Sequence, residues 1–182
     1  MNTFPKDQGT LLYVIDIHSF PMSSFQDQSW EKYQSEIIAA VGEIEKLGIF
    51  KFKQATEPAD WKKADITIRF EKLDGEVKDI TTYDLYGHCV VTEKDGRRVA
   101  KIGLDIDQRW GHTWWQVVRP WRSCVHFRQV VMHELLHALG WREHTPETVR
   151  DYSIMDERNA GGYSKGLPMY DRWQIRKIYG LA

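Results

Sequence analysis

The chain of 182 residues carries 25 Lys and Arg against 26 Asp and Glu, a formal net charge of -1, with 42% hydrophobic and 28% charged residues. Such a length and apolar content can bury a packed core without disulfide staples, and the mixture argues against a disordered chain. The balanced charge gives no global pull on nucleic acid or on an anionic membrane, so neither is expected as a partner.

The first twenty residues show no basic leader followed by an apolar run and a small-residue cleavage site, and no later stretch is long and apolar enough to span a membrane. The expectation is a chain that is cytoplasmic at synthesis, or secreted if a leader has been removed, and monomeric. Cys89 and Cys124 are too few for a disulfide framework; two free thiols and a single bridge both fit.

In chain order, "LLYVIDI" at 11–17 reads as a buried strand. Over 29–47, Trp30, Tyr33, Ile37, Ile38, Val41, Ile44 and Leu47 recur at helical spacing and Gly48 follows as a cap, so an amphipathic helix is predicted. The segments 49–53 and 65–70 alternate apolar and polar residues, the period of strands with one buried face. Asp95-Gly96 separates two β-rich runs and predicts a hairpin. "WGHTWWQVVRPWRS", broken by Pro120, reads as an aromatic loop over the sheet or cleft. Ser123 is then placed to cap a helix over about 124–139, with Val130, Val131, Leu135 and Leu139 as its apolar stripe and Gly140 as its stop. A short closing helix is expected over 170–180.

The chemistry concentrates in "HELLHALGWREH" at 133–144. Residues four apart on a helix share a face, so His133 and His137 can each direct one ring nitrogen at a single ion. Catalytic zinc takes three protein ligands and keeps a fourth position for water, so a third ligand must come from beyond Gly140. Glu134, beside a ligand, is placed to take a proton from the attacking water as general base. A bare HExxH also arises by chance on amphipathic helices. Gly140 strengthens the reading, because a residue tolerating positive φ lets the chain turn sharply back toward the metal.

With "YSIMDE" at 152–157, the chain resembles the metzincin zinc peptidases, whose pattern is HExxHxxGxxH followed by a methionine-containing turn. It is most similar to the matrixins, through "ADITIRF" at 64–70, "GLDIDQRW" at 103–110 and "YDRWQIRKIYG" at 170–180, which occur in the family's order. The resemblance implies an α+β, zincin-like fold with a twisted mixed sheet, two long helices, an active-site cleft and a small C-terminal subdomain. It implies one catalytic domain over 1–182, divided at about 140 into subdomains of about 10–140 and 141–182. It further implies a zinc endopeptidase acting on protein or peptide substrates, with Met155 in the turn beneath the metal and 156–164 walling the pocket beyond the scissile bond.

The chain departs from the family at the third ligand. The family's histidine position falls on Glu143, and His144 follows one residue later. Zinc hydrolases use either a third histidine or a glutamate. The reading adopted is His133, His137 and His144, with a one-residue bulge preserving the ligand type and Glu143 as the alternative. No loop like the family's structural-zinc loop is evident, so one zinc is expected, and nothing beyond Asp105 and Asp107 hints at calcium. The family's cysteine-bearing propeptide is not found. His18, His88, His112 and His126 are read as structural or surface groups, Tyr152 and Tyr163 as packing residues rather than oxyanion donors, and the interleaved Arg119, Arg122, Arg128, Trp114, Trp115 and Trp121 as a covering layer. The rival class is a catalytically silent, zinc-stabilised peptide-binding module; the retained Glu134 argues against it.

Overall fold

The strands expected at 11–17, 49–53 and 65–70 join one sheet with the first lying between the other two, and the helical pattern between the first two becomes their crossover. The computed structural model describes residues 3–20, 29–73, 86–106, 110–111, 125–144, 153–156 and 166–181. Strand β1 (Thr10–Ile15) leads through helix α1 (Trp30–Glu45) to β2 (Lys51–Gln54), and a short helix α2 (Pro58–Trp61) precedes β3 (Ile66–Glu71). Strands β4 (Gly87–Lys94) and β5 (Arg97–Asp105) form the expected hairpin. Asp95 and Gly96 both take positive φ, 53° and 73°, as a tight two-residue turn of this kind requires.

The sheet order is β2-β1-β3-β5-β4. Its first four strands pair in parallel and β4 joins β5 antiparallel, which leaves β4 at the edge among the described residues. Helix α3 (Phe127–Ala138) and α1 pack together on one face, and α4 (Met169–Ile178) follows. The architecture is α+β with a mixed sheet, as expected.

Burial explains the layer. Ile66, Ile68 and Ile102 have 0% exposure, as do Ile37 of α1 and Val131, Leu135 and Leu136 of α3. Each such side chain contributes about 1.5–3 kcal/mol on leaving water, more than an exposed ion pair supplies. Tyr33, Phe70, Phe127 and Trp110 meet edge to face or stacked in the same core. Among the described residues, the opposite sheet face carries a small cluster, Val14, Ala55 and Ala64, with Leu12 and Trp61 against it.

Several boundaries differ from the sequence reading: β1 ends at Ile15 rather than 17, and β3 and α4 are displaced by one or two residues. Helix α1 ends at Glu45, and Ile38, predicted on its apolar stripe, is 45% exposed because it lies about 100° around the helix from the fully buried Ile37. The second strand runs over Lys51–Gln54 rather than 49–53. Helix α3 begins at Phe127, because Val125 and His126 are first drawn into a two-residue strand, β7, parallel to β6 (Trp110–Gly111). Its N-cap residue is therefore His126; the predicted cap Ser123 lies outside the described residues.

Candidate metal centre and active site

Helix α3 buries Val130, Val131, Leu135 and Leu136 and leaves His133 and His137, one turn apart, half-buried at the core boundary. The helix stops at Leu139, and Gly140 takes φ 109°, a conformation that costs a side-chain-bearing residue dearly. The Gly140 N–H donates to the His137 carbonyl at 2.9 Å and the Trp141 N–H to the Leu136 carbonyl at 3.0 Å. That pair of bonds is a Schellman motif, and it reverses the chain so that His144 comes back over the helix.

The three ring nitrogens converge. His133 Nε2 lies 3.0 Å from His137 Nε2 and 3.2 Å from His144 Nε2. Together the three residues form the one group of candidate metal-binding side chains among the described residues, with ligand atoms all within 4.8 Å of one another. Their chemistry sharpens this. His133 Nδ1 lies 2.7 Å from the Ile154 carbonyl and His137 Nδ1 lies 2.6 Å from the Trp141 carbonyl. A carbonyl only accepts, so each Nδ1 carries the proton and each Nε2 presents a lone pair in the neutral ring. Two lone pairs facing at 3.0 Å repel unless a cation lies between them. Nitrogens around a tetrahedral zinc with bonds of about 2.0–2.1 Å stand about 3.3 Å apart, close to the spacing here. The residues present therefore fit the ion. Burial, with the neighbouring His137, holds His133 down at about 3, and burial also lowers His137, so both rings are neutral at physiological pH, the form that binds metal.

The Ile154 carbonyl is itself held in place. Asp171, in the first turn of α4 and fully buried, accepts from Ser153 Oγ at 2.5 Å and from the Ile154 N–H at 2.9 Å, and Ser153 Oγ accepts from the Met155 N–H at 3.0 Å. Burial pushes the Asp171 carboxyl up to about 6 against these two donors. Met155, with 0% exposure, sits in the turn so fixed. Helix α4 is docked in turn on the end of α1, where Arg176 Nη1 donates to the Leu47 carbonyl at 3.0 Å.

Glu134 is 4% exposed, and its Oε2 has no hydrogen-bond partner among the described residues. Desolvation raises its carboxyl to about 8. The wall it faces is the start of β4: a Cβ on Gly87 would lie 3.1 Å from Glu134 Cγ, Glu134 Oε1 and Val130 Cγ1. Cys89, two residues along the same strand face, is a free thiol that burial, aided by the Glu134 charge, pushes up to about 12. A glycine opening a strand signals a close backbone approach, yet nothing in the sequence tells which residue approaches. Gly87, Asp171 and Ser153 were not singled out from the sequence for this reason.

Glu143 is exposed and stands outside the histidine group. Of the other residues considered, Asp107, His112, Trp114, Trp115, Arg119, Trp121, Arg122, Cys124, Tyr152, Tyr163 and the pocket-wall segment 157–164 lie outside the described residues. His126 is buried, and Arg128 pairs with the buried Glu36 of α1 at 2.6 Å rather than joining a basic surface.

A mixed sheet, a buried helix bearing two histidines and a glycine turn returning a third define a zincin-like chain. The family model described as Matrixin matches residues 15–180, and the chain belongs to the matrixin family, whose members are zinc metallopeptidases. Among curated proteins no relative matches it. No helix among the described residues is long and apolar enough to cross a membrane.

Proposed function

We propose that the protein is a zinc endopeptidase in which His133, His137 and His144 hold the ion and Glu134 is the general base. The observation that carries this reading is the convergence of three Nε2 atoms, two of them lone-pair bearers because the Nδ1 atoms of His133 and His137 are committed to backbone carbonyls. His144 is preferred to Glu143 because its Nε2 stands in that convergence. A bound zinc ion supplies the Lewis acidity that polarises a scissile carbonyl and acidifies water.

The chain's own groups do the rest. Glu134 accepts the proton of the attacking water and returns it to the leaving amine. Its unpartnered Oε2 is the free acceptor for this, and beside a divalent cation its raised carboxyl ionises more readily. Substrate binds extended along β4. The Asp105 N–H donates to the Tyr86 carbonyl, so by antiparallel alternation the backbone groups of Gly87, Cys89 and Val91 face the free edge. The bare Gly87 backbone against Glu134 brings a peptide paired at that edge close to the base. The turn at Ser153–Asp156 then serves as the floor of the metal centre, with Met155 as its methionine.

The test is cleavage of a mixed peptide library by wild type and Glu134→Ala, each assayed for bound zinc. Cleavage by wild type alone, with one zinc in both, is expected. If both hold one zinc and neither cleaves, the protein is instead a silent binding module of the same fold.

A further inference from the structure

An α-helix leaves its last four carbonyls without helical partners, and how these are satisfied fixes how the chain leaves the helix. At the end of α3 the Schellman turn takes the first two, those of Leu136 and His137. The other two are taken from far away in the chain. Arg98 Nη2, on β5, donates to the Ala138 carbonyl at 3.2 Å, and the Tyr179 hydroxyl, just beyond α4, donates to the Leu139 carbonyl at 2.7 Å. Both donors stand 40 residues from their acceptors, one upstream and one downstream.

The two donors are themselves braced. Tyr179 is 2% exposed with its ring edge-on to Phe50 at 5.3 Å, and the Arg98 guanidinium lies over the Phe4 ring at 5.3 Å. Arg98 also puts a positive charge at the negative end of the α3 dipole. Burial pushes the Tyr179 hydroxyl up to about 12, so it remains a donor through the working range of pH. The carbonyls they hold belong to the two residues before Gly140, where any drift rotates the turn that follows.

We propose that Arg98 and Tyr179 are positioning residues for the metal centre: by clamping the Ala138 and Leu139 carbonyls they set the Gly140 turn, and through it both the Trp141 carbonyl on His137 Nδ1 and the return of His144. This assignment rests on the metal centre proposed above. It makes the sheet and the C-terminal helix joint determinants of the third ligand's position.

Tyr179→Phe removes one oxygen and Arg98→Met keeps an unbranched stem while removing the donor. Three readouts are taken on each: zinc affinity by competition with a chromophoric chelator, unfolding of the zinc-free protein, and the visible spectrum of the cobalt(II)-substituted protein. Partners that orient metal ligands typically contribute about 10–100-fold in affinity, and a clamp one step further out is expected to contribute somewhat less, roughly five- to tenfold, with an altered cobalt spectrum. Arg98→Lys should recover part of the Arg98→Met loss. Ile68→Val, a core change remote from the helix end, should lower stability and leave zinc affinity at the wild-type value. If Tyr179→Phe loses stability but keeps wild-type zinc affinity and an unchanged cobalt spectrum, the two residues are merely structural and the assignment is overturned. Should Arg98→Met not fold, Tyr179→Phe decides alone. A wild type that binds no zinc overturns the metal centre itself, and this assignment with it.

Discussion

The two helical histidines are held by the same device and by opposite chemistry. Each gives its Nδ1 proton to a backbone carbonyl, but the carbonyl on His133 belongs to a turn tied down by a buried carboxylate, Asp171, whereas the one on His137 belongs to a turn fixed by a glycine and two constant donors, Arg98 and Tyr179. One support titrates within a biologically accessible range and the other does not. The difference teaches that a metal centre held by these histidines would combine a pH-sensitive wall with an insensitive one.

Removing a ligand tests whether both walls serve one ion. His133→Ala and His137→Ala should each weaken zinc binding by on the order of a thousandfold or more, since two ligands cannot close a tetrahedral site, and His144→Ala should follow them. Glu143→Ala should leave affinity at the wild-type level in the same competition titration; the reverse ranking of these last two would transfer the third ligand to Glu143.

Breaking the carboxylate wall comes next. Asp171→Ala strands the Ser153 hydroxyl and the Ile154 N–H in a buried site, and denaturant unfolding should report a loss on the order of 3 kcal/mol. The Tyr179→Phe change on the other wall should cost less, because it orphans one neutral acceptor.

The pH dependence separates the walls more finely. Asp171 is raised in the folded protein to about 6 from 3.8, so its favourable contribution is full below about pH 4 and is lost as pH rises through 6. In the zinc-free protein, wild type should therefore lose up to about 3 kcal/mol relative to Asp171→Asn between pH 4 and pH 7. A constant difference across that range would remove the contrast between the two supports.

The smallest effect isolates the base from both walls. Gly87→Ala places a Cβ against Glu134 without touching either carbonyl anchor. A several-fold lower kcat, about 1 kcal/mol, with unchanged zinc content is expected, and a change in zinc affinity instead would tie β4 to the metal rather than to the base.

The sequence by itself determined what local rules govern. The 3.6-residue period placed α1 within two residues of its observed ends, and the Asp95-Gly96 pair located the hairpin, because periodicity and allowed φ depend only on neighbouring residues. The i, i+4 spacing paired His133 with His137, and the family's motifs named the class that the Matrixin match bears out. Tertiary structure decided the rest. His144 and Glu143 are adjacent and both chemically suitable, so only the path of the chain beyond Gly140 could bring one of them to the helix. Asp171, Gly87, Arg98 and Tyr179 act on atoms 17 or more residues away, across the sheet or from another helix. No residue pattern encodes such contacts, because they arise where separately specified elements pack against each other.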